Sequence, residues 1–333
     1  MKRIAVSFRL AALAAAVLLL PGCRTPSASS AHAAQTTPPS ASVHDAQTSA
    51  PAAVTTGGPA FDGARAFGML QAQCAFGPRK PGTPPHEQCK SYILAQLTPF
   101  VDKVVTQHWT YHDEARHVTL PLTNILGIIN PQAKKRVMLL THWDTRPTAD
   151  QELDTVNKQK PILGADDGAS GTAVLLELAR ALHKQKPQIG VELLFVDGED
   201  WGPGEDKMYL GAIHFASDPG AYRPDYAILL DMIGDKGLTV YREKSSQLMD
   251  PSLNDTVWAD AGLLGYRTQF PDAAKWQISD DHDTFNAHGI PAIDLIDFDY
   301  AYWHTLGDTP DKCDPKSLQV IGDVMEKVIY DAR

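Results

Sequence analysis

The chain has 333 residues, 43% of them apolar, which suits one large globular domain or two small ones. Its net charge of −10 becomes −13 once Lys2, Arg3 and Arg9 are set aside, and so acidic a domain argues against nucleic acid as a partner. Besides Cys23 there are only Cys74, Cys89 and Cys313, at spacings that suit no zinc knuckle.

The first segment reads as an export signal. Met1-Lys2-Arg3 and Arg9 form a positive start, residues 10–20 are apolar, and Leu20-Pro21-Gly22-Cys23 comes next. The apolar run is too short and ends too abruptly for a membrane span. LPGC resembles a bacterial lipobox. It predicts a signal peptide over 1–22, lipidation of Cys23 and an exported, periplasmic protein held at a bacterial (outer) membrane by that lipid alone; ordinary signal cleavage is the alternative. Residues 24–60 are almost all Ala, Ser, Thr, Pro and Gln, with no hydrophobic periodicity. Such a stretch cannot bury a core and predicts a disordered linker. The remainder, 61–333, is expected to be a single α/β catalytic domain.

Within it, residues 61–76 and 86–97 predict helices either side of the breaker Gly77-Pro78-Arg79-Lys80-Pro81-Gly82. Cys74 and Cys89 flank this turn-rich segment, and an oxidising compartment would allow them to pair; two buried thiols are the alternative. Residues 101–111 alternate as a strand does. Residues 123–129 and 136–141 predict a hairpin around Asn130-Pro131-Gln132.

Next comes LGADDGASG, residues 163–171, followed by Val174, Leu178 and Leu182 at helical spacing. Asp166 and Asp167 thus fall in a tight loop at a helix N-terminus, an end that favours negative charge. The apolar runs at 137–140, 191–196, 226–230 and 290–296 alternate with helical segments, the reading expected of parallel strands buried on both faces. Asp314-Pro315 opens a last helix, whose apolar face carries Leu318, Ile321, Met325 and Val328. The order predicts an α/β, three-layer sandwich, with a central mixed, mostly parallel sheet flanked by helices.

In an open α/β sheet, function gathers beyond the carboxyl ends of the strands. Here those ends lead to His142, to Glu199-Asp200, to Asp231 and, after a loop, to Trp303-His304, while Asp167 lies at its helix start. Singly, each has an ordinary reading: a helix cap, a turn aspartate, a loop histidine. Together, four or more carboxylates at one edge would repel one another unless a cation neutralised them. Mixed histidine and carboxylate ligands suit zinc.

Six segments, HWDTRP, GADDGASG, FVDGED, LLDMIG, SDDH and YWHT, taken in this order, resemble the zinc aminopeptidase-like superfamily. Within it they are most similar to the glutaminyl cyclase branch. The resemblance spans residue 76 to the C-terminus. It implies an acyltransferase that converts the N-terminal glutamine of peptides or proteins to pyroglutamate and releases ammonia. It implies Asp167, Asp200 and His304 as zinc ligands, Glu199 as general base and acid, Asp231 and Asp281 as supporting catalytic carboxylates, and Trp303 with His142 beside the substrate. One zinc is expected. In the aminopeptidases of the superfamily, however, His142 and Asp231 would match ligands of a second ion, so two ions and peptide-bond hydrolysis form the alternative. A third reading is a binding ectodomain without catalysis; such relatives lose ligands, whereas this chain keeps Asp167, Glu199, Asp200 and His304. The family also carries a cis peptide bond after the ligand aspartate, here expected at Asp167–Gly168. A non-proline cis bond costs roughly 3–4 kcal/mol and persists only where its surroundings enforce it.

Overall fold

The computed structural model describes residues 61–332; the export signal, Cys23 and the linker expected over 24–60 lie outside the described residues. Six strands form one sheet: β1 (Lys103–Asp113), β2 (Val118–Ile129), β3 (Arg136–His142), β4 (Gly190–Val196), β5 (Tyr226–Asp231) and β6 (Ala292–Ile296). Their spatial order is β1-β2-β4-β3-β5-β6. β4, β3, β5 and β6 run parallel, while β1 and β2 pair antiparallel with each other and β2 antiparallel with β4.

Every residue of β3 and β4 is buried, which accounts for their unbroken apolar runs. Successive side chains point to opposite faces of a strand. Val137, Leu139, Val191, Leu193 and Phe195 therefore enter one core, and Met138, Leu140, Leu194 and Val196 the other. The first core is covered by α1 (Gly63–Ala75), α2 (Pro84–Leu97), α3 (Ala169–Lys184), α6 (Pro251–Leu263) and α8 (Pro315–Asp331). The second is covered by α4 (Leu210–Ser217) and α7 (Asp281–Ala287). The short α5 (Lys244–Met249) shields β6, where Ser246 Oγ accepts from Asp294 N at 2.9 Å. This is the three-layer arrangement expected. Along α8, Leu318, Ile321, Met325 and Val328 are at most 3% exposed, each such side chain contributing about 1.5–3 kcal/mol by burial. Glu192, the polar break in β4, is offset by Arg136 Nε at 2.6 Å, yet burial still pushes its carboxyl up to about 7.

One expectation is corrected. The hairpin is β1–β2; residues 123–129 do not pair with 136–141, because β4 lies between them. β3 is an interior parallel strand, and α3 carries the chain back so that β4 pairs beside it. The connection after β2 merely steps across two strand spacings of about 4.8 Å each. Cys74 and Cys89 are both free and buried. Burial pushes their thiols up to about 11 and about 12, so neither is a reactive thiolate.

Candidate metal centre and active site

Because β3 to β6 are parallel, their carboxyl ends open on one edge of the sheet. There the residues beyond β3, β4, β5 and β6 meet the loop before α3 around a cavity of about 350 Å³. Glu199, Asp200, Asp231, Asp167, Trp303 and His304 all line it.

Of the adjacent aspartates, only Asp167 faces this cavity. Asp166 is fully buried and turned away, its Oδ1 accepting from Gly234 N at 2.6 Å. Asp167 Oδ1 lies 3.1 Å from His142 Nε2, and Asp167 Oδ2 lies 3.6 Å from His304 Nε2. The turn that separates the two aspartates relies on glycine. Gly168 has φ 92°, and a Cβ there would come within 2.8 Å of the His142 ring. The Asp167–Gly168 bond is trans, contrary to expectation; among the described residues the cis bond is Gly202–Pro203. Positive-φ glycines reverse the chain here without the cost of a non-proline cis bond.

Two ligand groups share Asp167: Asp167, Asp200 and His304, and His142, Asp167 and Asp231. His304 Nε2 is 3.5 Å from Asp200 Oδ1, and its Nδ1 is 3.1 Å from Asp150 Oδ1. Such a carboxylate fixes the ring's orientation and leaves Nε2 to coordinate. His304 also sits at φ 53°, a left-handed conformation that costs a non-glycine residue about 1–3 kcal/mol and is typical of functional sites. Asp167 Oδ2 and Asp200 Oδ2 are buried without a hydrogen-bond donor. An unpaired buried carboxylate oxygen is costly, and a cation between these groups would remove that cost. Two carboxylates and an imidazole are a donor set that fits zinc.

Glu199 stands next to this triad, 6% exposed, with Oε2 3.9 Å from His142 Nδ1. Burial pushes its carboxyl well above the usual range; the charges of Asp200, Asp280 and Asp281 add to this and His142 opposes it. Burial alone would lower the His142 pKa, but Asp144, Asp167 and Asp231 outweigh it and hold the imidazole well above the usual range. Its Nε2 is 3.1 Å from Asp231 Oδ1. Trp303 stacks on His304 with centroids 3.9 Å apart at 25°, and Phe298 lies 5.0 Å beyond it, so an apolar wall adjoins the polar floor.

Two expected positions are displaced. His142 does not line the cavity; it lies behind Asp167 and Asp231. Of the doubled Asp280-Asp281, it is Asp280 that faces the cavity, while Asp281 is 1% exposed and buried behind it at the start of α7. Asp280 caps that helix, accepting from Asp281 N at 2.6 Å, and the cap geometry decides which carboxylate points inward.

A family model described as Peptidase family M28 matches residues 124–329. The chain belongs to peptidase family M28. This M28 protein is 25% identical over 295 residues to a glutaminyl-peptide cyclotransferase of Bos taurus, an alignment covering 76% of this chain and 78% of that protein. Among solved structures it is similar to a Bacteroides thetaiotaomicron glutaminyl cyclase bound to N-acetylhistamine, with 36% identity, TM-score 0.80, and 83% and 100% of the two chains covered. It is equally similar to a Zn-dependent exopeptidase from Parabacteroides distasonis, with 36% identity, TM-score 0.79, and 82% and 99% covered.

Four carboxylate or guanidinium positions of the M28 protein's site were not anticipated. Asp144 accepts from the backbone N–H groups of Glu199 and Asp200 at 3.2 and 3.3 Å. Asp308 does the same for Asp166 and Asp167 at 2.9 and 3.3 Å. Arg146 bonds Asp200 and, at 3.1 and 3.2 Å, both oxygens of Asp150. Asp144 and Arg146 lie within HWDTRP, so the motif itself is their one signal in the sequence. Nothing local distinguishes Asp150 or Asp308.

Proposed function

We propose that this protein is a zinc-dependent glutaminyl-peptide cyclotransferase, acting on peptides or proteins that begin with glutamine. The observation that carries this reading is the apolar indole wall of Trp303 set directly against the Asp167–Asp200–His304 triad and the Glu199 carboxyl. The similarity to glutaminyl cyclases supports it. Zinc, when bound, would be held by Asp167, Asp200 and His304 and would act as a Lewis acid toward the γ-carboxamide carbonyl.

The remaining work falls to the chain's own groups. Asp231 and Asp280, on the cavity wall, receive the substrate's N-terminal amine. Trp303 confines the glutamine side chain in a folded conformation and excludes water from the reacting carbon. Glu199 takes a proton from the α-amine as its nitrogen attacks the carbonyl carbon of the γ-carboxamide. It returns that proton to the carboxamide nitrogen, which leaves as ammonia as the carbon–nitrogen bond breaks. The raised carboxyl of Glu199 suits a group that must gain and lose a proton each turnover. Amine and carbonyl belong to one molecule, so holding them in contact supplies much of the acceleration.

We infer that one zinc suffices. His142 Nε2 is hydrogen-bonded to Asp231 Oδ1 at 3.1 Å and has Asp167 Oδ1 at the same distance, which supports a hydrogen-bonding role for this imidazole beside a single ion. The same three residues are the observation that favours the alternative, a two-ion aminopeptidase. Glutaminyl-β-naphthylamide and leucyl-p-nitroanilide assayed side by side separate the two. Ammonia and pyroglutamate from the first, with no cleavage of the second, is the expected result; cleavage of the second alone overturns it.

We also infer that residues 61–333 act as one catalytic domain, tethered outside the cytoplasm through lipidated Cys23 and the linker. Among the described residues, no helix is long and apolar enough to cross a membrane. Cys23→Ser is expected to move the protein from the membrane pellet to the soluble fraction. A wild-type protein already in the soluble periplasmic fraction refutes the tether.

A further inference from the structure

The segment between Glu199-Asp200 and α4 forms one wall of the cavity, contributing Glu205, Met208 and Tyr209. Its middle, residues 203–206, is exposed, so the wall depends on how its ends are fastened. Both ends are fastened to a single side chain from another part of the fold. Asp113, the last residue of β1, is 2% exposed. Its Oδ2 accepts from the indole Nε1 of Trp201 at 2.9 Å, and its Oδ1 from Lys207 Nζ at 2.9 Å. The same carboxylate closes the β1–β2 turn, accepting from Ala115 N and Arg116 N at 3.0 and 3.1 Å. Arg116 completes the joint, lying 4.6 Å from the Trp201 ring centroid and donating to Trp201 O at 3.3 Å.

The joint is mechanically close to the chemistry. Trp201 comes directly after Asp200, and Lys207 precedes Met208 and Tyr209. Between them Gly202 lies so near Arg146, the partner of Asp200, that a Cβ would meet its guanidinium at 2.9 Å. A shift of this segment would move both the cavity wall and the group that orients Asp200.

We propose that Asp113 is a positioning residue for the reaction, which holds the cavity wall over the substrate by fastening Trp201 and Lys207. Asp113 touches neither substrate nor metal ligand, and the proposal rests on the cyclotransferase reading only for its kinetic readout. A hydrogen bond to a charged group contributes enough that its loss corresponds to roughly ten-fold or more in an equilibrium. Wall residues act on substrate binding, so the loss should fall on KM rather than on the chemical step.

Three variants test this on the full chain: Asp113→Asn, which keeps the shape and the turn but loses an acceptor, Lys207→Met, which removes one bond from a partly exposed side chain, and the double variant. The expected result is a KM raised about ten-fold in each, with kcat within about three-fold and zinc retained. The double variant should be no worse than Asp113→Asn, because both changes break one joint. Hydrogen exchange at residues 201–208, measured without substrate, should quicken about ten-fold or more while β3 and β4 exchange as before. Unchanged KM and unchanged exchange in Lys207→Met overturn the proposal, as does faster exchange spread over the whole sheet. If Asp113→Asn fails to fold, Lys207→Met carries the test alone. A wild-type protein that does not cyclise glutamine overturns the assigned reaction, and the fastening is then decided by exchange.

Discussion

Glu199→Gln is expected to lower turnover by about three or more orders of magnitude while zinc stays bound, and Asp200→Ala to lose the zinc. The residues are adjacent, but the structure gives them different surroundings. Asp200 Oδ2 is buried without a donor and belongs to the Asp167–Asp200–His304 group, with Arg146 on its other oxygen. A ligand must be ionised and fixed: Arg146 fixes Asp200, and a bound cation would keep its carboxylate ionised. The Glu199 carboxyl belongs to neither ligand group, opens on the cavity, and is pushed well above the usual range by burial and by its acidic neighbours. A proton carrier must exchange its proton each turnover, so it cannot be locked onto the ion. Glutamine at 199 keeps the shape and removes the titrating group. Each proton transfer by a placed side chain contributes about 10²–10⁴-fold, and Glu199 carries two. Zinc content and single-substrate kinetics on both variants check this. Zinc lost from Glu199→Gln and kept by Asp200→Ala means the pair is assigned backwards.

Chelation is expected to abolish turnover, one equivalent of zinc to restore it, and zinc affinity to fall by about ten-fold or more per pH unit below about pH 7, since Asp200 and His304 must both be unprotonated to coordinate. Burial, reinforced by the charge of Asp167, pushes the Asp200 carboxyl of the metal-free protein up to about 7. A carboxyl whose folded pKa is raised contributes stability while it is protonated, below its ordinary value of about 4, and loses it as pH rises through about 7. The metal-free protein therefore becomes less stable from about pH 4 to about pH 7. Zinc displaces the Asp200 proton, so it binds more tightly over the same range. The gap in Tm between zinc-loaded and metal-free protein should widen as pH rises. Thermal unfolding of both forms between about pH 5 and pH 8, with chelator competition for affinity, measures it. An affinity independent of pH contradicts the assignment of Asp200. Two equivalents of zinc, both needed for turnover, would instead favour the aminopeptidase arrangement.

The parallel strands, and the residues at which each of them ends, were legible in the sequence alone. A strand buried on both faces must be an unbroken apolar run, and the residue that ends the run leaves the sheet at its carboxyl edge. That local rule places His142, Glu199, Asp200 and Asp231 at the edge, and six short segments in one order supplied Asp167 and His304. Only the tertiary structure decided how neighbouring, chemically identical groups divide. Asp167 faces the cavity and Asp166 does not, because Gly234 N donates to the Asp166 carboxylate away from the cavity. Asp280 faces it and Asp281 does not, because Asp280 caps α7. The partner of β2 was equally hidden, since a crossover helix returns the chain to fill the place beside β3. The supporting carboxylates left no local signal for the same reason: their partners are distant in the chain. Asp144 serves residues 55 and 56 positions away, Asp308 residues 141 and 142 away, and Asp113 residues 88 and 94 away. A buried aspartate that accepts from distant N–H groups looks, in one sequence, like any turn aspartate; what separates them is which donors the fold brings within reach.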